Sequence, residues 1–199
     1  MKRMMPRCAV MGAALVLTFA VAGCGGGHTS GHSAGSGATS VSPAVSGAVF
    51  NETDVAFAQH MVVHHRQAIE MSALAPERGG TEVKELAASI SAAQGPEIAT
   101  MTGFLAAWGQ PAPAEGAGHG GEHATMPGMM SGADMAKLAA STGPAFDELF
   151  LTMMIDHHTG AITMARGEID GGANPAAKAL ASKIVADQQS EIAEMQAMR

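Results

Sequence analysis

Apolar residues return along this chain at helical spacing. Phe57, Met61, His64, Ala68 and Met71 step by 4, 3, 4 and 3 residues, and so do Phe150, Met154, His157, Ala161 and Met164. Each set falls on one face of a helix. A second pair of stripes, Leu86, Ile90, Glu97 and Met101 and then Leu180, Ile184, Glu191 and Met195, advances by 4, 7 and 4. No stretch alternates as a strand would. The pattern predicts helices over roughly 53–75, 81–108, 145–170 and 175–198, with a short one near 133–141. Ala75-Pro76 and Gly171-Gly172 serve as stops, and Gly95-Pro96 predicts a kink inside the second helix, because proline removes a backbone donor there.

The stripes match because the chain is duplicated. FAQHMVVHHRQAIEM (57–71) overlies FLTMMIDHHTGAITM (150–164) at an offset of 93, with Asp54 and Asp147 paired upstream. The second stripes overlie at 94, including Gln94 on Gln188 and Glu97 on Glu191. Two helical hairpins with equal apolar faces bury them best against each other, which predicts an all-α antiparallel four-helix bundle with pseudo-twofold symmetry. Repeat one covers 50–109, a His/Met-rich linker 110–132 and repeat two 133–198, together a duplicated domain over 50–198.

The ends change the picture. Lys2, Arg3 and Arg7 precede an apolar run that closes on Ala22-Gly23-Cys24, the form of a lipoprotein signal over 1–23, with Cys24 as the lipidated first residue of the mature chain. The run is shorter than the ~20 apolar residues a spanning helix needs. A Gly/Ser-rich tether over 24–48 follows, too poor in apolar surface to fold. The expected location is the cell envelope, anchored by lipid and facing away from the cytoplasm. With Cys8 removed and Cys24 acylated, no thiol remains for disulfides or thiolate metal sites. Without Lys2, Arg3 and Arg7 the 11 basic residues fall to 8 against 18 acidic ones, a charge of about −10. Nucleic acid is a poor partner for that surface, and metal cations are not.

Taking His64 as the centre of its stripe, Met71, Phe57, Ala68, His60 and Met61 lie within roughly 60° of it at about 100° per residue. His64 and His157 therefore point into the bundle, and the symmetry brings them to one level. Imidazole with nearby thioether suits copper, since soft sulfur favours Cu(I) while Mg, Ca and Mn prefer oxygen. The expected metal set is His64, His157, Met61 and Met154, extended by Met71 and Met164, by His60 and its counterpart Met153, and by His65 and His158 at the edge of the stripes. Glu97 and Glu191 are expected to hold the histidines from behind or to bind directly. Between the repeats, His119, His123, Met126, Met129 and Met130 sit among glycines and read as an auxiliary metal-gathering loop that needs no fold. Methionine at helical spacing is also ordinary core filler, so the histidines carry the reading.

The paired HHxxAIxM segments with their EIAxM partners at 97–101 and 191–195 resemble the domain-of-unknown-function 305 (DUF305) family of secreted bacterial proteins. That resemblance covers about 50–198 and implies a ferritin-like four-helix fold and, for some relatives, copper binding and tolerance outside the cytoplasm. It implies no reaction. The leading expectation is an exported lipoprotein that binds copper for buffering, tolerance or handover, with zinc, iron or manganese as other metals the same groups accept. One alternative is a ferritin-like iron or manganese redox enzyme, although such centres use about four inward carboxylates with Glu-x-x-His pairs and no Glu-x-x-His occurs in the sequence. The other is an envelope interaction module in which these side chains only pack.

Overall fold

The computed structural model describes residues 49–116 and 125–199, and these fold as a bundle of helices without strands among the described residues. Helix α1 spans Glu52–Arg78, α2 Thr81–Ala107, the short α3 Gly132–Ala140, α4 Pro144–Gly171 and α5 Pro175–Ala197. The signal segment, the tether with Cys24, and His119 and His123 lie outside the described residues.

Local chemistry sets the helix starts. The Asn51 side chain accepts from the backbone of Thr53 and Asp54, while Asp54 reaches back to the Asn51 N–H, closing a capping box. Asn174 caps α5, and proline occupies the first turn of both α4 and α5, where its missing N–H is not needed. Ala75-Pro76 does not end α1. The helix continues one more turn to Arg78, because a proline this close to the C-terminus forfeits a single intrahelical bond, and the Gly79 N–H closes the end on Ala75 O at 2.8 Å. Likewise α2 remains helical through Gly95-Pro96, which keeps Glu97 on the inward face.

The hairpins α1–α2 and α4–α5 meet chiefly through α1 and α4. Each hairpin's turn is held by an aspartate of the other. Asp147 accepts from Gly80 N at 2.9 Å, and Asp54 accepts from Ala173 N at 3.0 Å and Asn174 N at 2.8 Å. These are the two aspartates that the duplication pairs.

The core is divided. Phe57, Met61, Met101, Leu105, Ala161, Ala165 and Ile184 form one apolar cluster; Ala68, Met71, Ile90, Phe150, Met154 and Met195 belong to the other. Along α1 the chain passes from the first cluster at Met61 and Val62 to the second at Ala68, and the buried polar residues between are His64, His65 and Gln67. All four long helices cross from one cluster to the other at polar residues: His157 and His158 on α4, Gln94 and Glu97 on α2, Gln188 and Glu191 on α5.

At one end of the bundle the symmetry fails. Glu168, 1 % exposed, occupies the position of Ala75 and lies near enough to Asp54 for that carboxyl to influence its protonation. Burial, then the hydrogen bond and the negative charge of Asp54, push the Glu168 pKa up to about 8. Burial also works to raise Asp54, but the N–H donors of Asn174, Asn51 and Ala173 outweigh it and keep its pKa low. Glu168 therefore favours its protonated form beside an ionised Asp54. Gly172 makes room for this arrangement, since a Cβ there would lie 2.2 Å from Glu168 Oε1. The folded chain holds the Glu168 proton up to a pH of about 8, whereas an unfolded glutamate releases it near its ordinary 4.5. Stability contributed by Glu168 is thus complete below pH 4.5 and declines as pH rises toward 8. Urea titrations between pH 6.5 and 8.5 should show the parent losing stability relative to Glu168→Gln, whose amide donates to Asp54 without titrating; parallel curves would refute a protonated Glu168.

Candidate metal centre

The polar layer between the two clusters has four histidines at its heart, and each is fully buried. His64 and His157 face each other with ring centroids 3.8 Å apart, inclined at 38°. This is the meeting that the offset of 93 predicts. His157 and His158 are 6.4 Å apart. His65 and His158, expected at the edge of their stripes, are as deeply buried as the central pair, because α2 and α5 close over them.

Hydrogen bonding fixes three of the rings. The His65 Nε2–H donates to Glu97 Oε2 at 2.9 Å, and the His158 Nε2–H donates to Glu191 Oε2 at 2.6 Å. The His64 Nε2–H donates to the Pro127 carbonyl at 3.0 Å. A carbonyl or carboxylate can only accept, so the proton of each neutral ring stays on Nε2 and the lone pair on Nδ1. The Nδ1 atoms of His64, His65 and His158 are buried without a protein partner, and so are both ring nitrogens of His157. Five lone or unpaired imidazole positions in one layer is an arrangement that packing alone leaves unexplained.

Burial favours the neutral form in three of the rings. Burial drives the His64 pKa down to about 3, helped by the neighbouring His65, and drives His157 well below its ordinary range, reinforced by His64 and the other imidazoles. Burial lowers His65 as well, against the pull of Glu97. For Glu97, burial raises the pKa, but His65 and then Lys183, whose Nζ lies 3.0 Å from Oε1, outweigh it and hold the carboxylate ionised. Lys183 also pairs with Asp187.

The methionines divide between the clusters. Met61 is buried one turn before His64 in the first cluster with Met164 against it, and Met154 is buried one turn before His157 in the second with Met71 and Met153. The thioethers thus lie above and below the imidazole layer rather than in it. His60 is exposed and stands outside the buried layer, unlike its counterpart Met153. Among the described residues no three His, Cys, Asp or Glu side chains already converge on one point as a cage. The donor types beside the central pair are imidazole nitrogen and, one turn away on α1 and α4, the thioethers of Met61 and Met154.

Two features of the site are not visible in the stripes. Gln94 and Gln188 place buried side-chain amides without partners three residues before Glu97 and Glu191; their coincidence in the duplication is the signal that marks them. The described part of the linker is also not loose. Gln59 and Arg66 of α1 hold the carbonyls of Pro111, Pro113 and Ala114, and residues 126–130 lie against α1 and α4, with Met130 packed on the second apolar cluster.

A family model described as "Domain of unknown function (DUF305)" matches residues 54–199. Among solved structures, a DUF305 fragment from Deinococcus radiodurans is 36% identical, with 74% of this chain and 95% of that one covered at a TM-score of 0.67. A DUF305 protein of Streptomyces coelicolor described as secreted is 34% identical over 72% and 89% of the two chains, with a TM-score of 0.65. CopM in its Cu(II)-bound form is 31% identical over 73% and 94%, with a TM-score of 0.62. A comparison with curated proteins gives no match.

Neutral buried histidines make the fold sensitive to acid. Unfolded imidazoles take up protons near their ordinary 6.5, while His64 resists until about 3; the stability this confers is complete above pH 6.5 and is lost as pH falls. Denaturation curves from pH 6.5 down to 4 should show His157→Gln losing less stability per pH unit than the parent, by up to ~1.4 kcal/mol for the one proton removed. Equal slopes would mean that His157 is already charged in the folded protein.

Proposed function

The chain belongs to the DUF305 family, and we propose that it is an exported lipoprotein that binds copper, with His64 and His157 as its central ligands and Met61 and Met154 as flanking thioethers. The observation that carries this reading is the pair of neutral, fully buried imidazoles, three of whose four nitrogens lack protein partners. Burying such groups is costly unless something pairs them, and a metal ion pairs several at once. His65 and His158 contribute through Nδ1, oriented from behind by Glu97 and Glu191 in the carboxylate–histidine arrangement that fixes the tautomer and strengthens the ligand.

Copper is favoured over harder ions by the donors. Imidazole and thioether are the ligands available around the central pair, and soft sulfur selects Cu(I). The copper-bound relative CopM supports the same choice, and the secreted relative supports a place outside the cytoplasm, with the lipid on Cys24 as membrane anchor and residues 24–48 as tether. Metal is the cargo here, to be buffered or handed on. Met71, Met153 and Met164 serve as core packing beside the site, and the exposed His60 is no part of it.

A di-iron or dimanganese enzyme fits less well. Glu97 and Glu191 are the inward carboxylates of the layer, and each already has a histidine partner. Iron or manganese recovered at two equivalents per chain would nevertheless favour that reading, and the absence of a melting-point shift with copper, zinc, iron or manganese would favour a packing module.

Competition against a Cu(I) chelator of known affinity tests the copper site. The His64→Ala/His157→Ala double variant should bind about a hundredfold more weakly or worse, since loss of even an outer partner of a ligand costs 10- to 100-fold. Affinity equal to the parent's would exclude the central pair.

A further inference from the structure

The linker residues 126–130 cross the histidine layer where the two repeats differ most. At positions 67 and 160, equivalent at the offset of 93, repeat one has glutamine and repeat two glycine. Both contact the linker. The Gln67 amide grips Met130 from both sides, donating from Nε2 to Met130 O at 2.8 Å and accepting from Met130 N at 2.7 Å. Gly160 provides clearance, because a Cβ there would lie 2.0 Å from Pro127 O and 2.7 Å from the Gly128 Cα. Gly128 itself has φ +77°, and a Cβ on it would meet the backbone oxygens of Asp156 and His157 at 2.6 and 2.9 Å. The backbone of this segment therefore lies directly on α4 beside His157, while Pro127 O occupies the Nε2–H of His64.

We propose that residues 126–130 form a strap that closes the His64–His157 pair from solvent, and that the strap must lift before a metal ion reaches the pair. The assignment rests on the copper reading for its cargo, but the strap's control of access is a property of the fold alone. A single strap over a twofold-symmetric pair can serve only one imidazole, and the contacts show the asymmetry: His64 gives its Nε2–H to Pro127, whereas both nitrogens of His157 remain without partners. Once the strap lifts, His157 has both nitrogens unengaged by the protein, and His64 offers only Nδ1 until Pro127 releases its Nε2–H. The divergence to Gln67 and Gly160 is the local adaptation that seats one strap across two otherwise equivalent helices.

Two variants of the full chain separate the outcomes. Gly160→Ala places a methyl group in the seat of Pro127, and Gln67→Ala removes both clasps on Met130 while leaving α4 untouched. In the metal-free protein, modification of His64 and His157 by diethyl pyrocarbonate, read by peptide mass, should quicken about tenfold or more in either variant, as expected when a closed segment opens more often. Uptake of Cu(I) from a chromogenic chelator complex in stopped flow should quicken by a similar factor. Parent-like modification rates in both variants, with faster exchange of the Met130 N–H confirming that the strap has loosened, would overturn the proposal. If the parent takes up no copper at all, the copper reading fails, and the modification rates still decide whether the strap controls access. Gln67→Ala keeps the test available should the methyl at position 160 prevent folding.

Discussion

The burial of four imidazoles between two apolar clusters governs this molecule. Hydrophobic packing would join the clusters into one continuous core, yet all four long helices interrupt their apolar faces at the same level. The interruption is tolerated because its outer members satisfy one another: Glu97 and Glu191 accept from His65 and His158, and Lys183 balances Glu97. The inner members are left incomplete. Polar groups buried without partners oppose folding by roughly 1–3 kcal/mol each, so the rest of the bundle must be stable enough to carry the layer. The aspartate clasps on both turns and the two apolar clusters supply that stability away from the histidines.

The duplication explains how such a layer arises and why it is not fully symmetric. A pseudo-twofold axis passes between His64 and His157, so each half supplies the same groups to the same level. Where the halves diverge, the structure shows what each divergence does. Gln67 and Gly160 receive the segment 126–130, and Glu168 in place of Ala75 inserts a protonated carboxyl against Asp54 at one end only. The equivalent aspartate at the other end, Asp147, holds the Gly80 N–H without such a neighbour.

Much of this architecture was legible in the sequence. The 4-3-4-3 spacing placed His64 and His157 inward, and the equal offset placed them opposite each other, because helical period and duplication together fix both angle and height. The same reasoning put Glu97 and Glu191 inside. It failed where local composition hides tertiary contact. His65 and His158 lie at the edge of their own helical stripes, and only the closing of α2 and α5 buries them. His60 shares the stripe of His64 in angle, but it faces solvent. The glycines around Met126 and Met130 read as freedom, whereas Gly128 and Gly160 are there because two backbones touch. Ala75-Pro76 read as a stop, yet a proline one turn from a helix end costs too little to stop it.

The charge of the layer bears on which ion it suits. Burial drives His64, His65 and His157 toward their neutral form, and thioethers carry no charge. Glu97 shares Lys183 with the half-exposed Asp187, and Glu191 holds His158. Transferring an ion from water into such surroundings is penalised steeply with its charge, and each uncompensated charge in low dielectric costs several kcal/mol even after relaxation. A monovalent ion therefore brings less charge to be compensated into the layer than a divalent one. Under the copper proposal, donor softness and charge both favour the monovalent ion, the first through Met61 and Met154, the second through imidazoles whose charging burial disfavours.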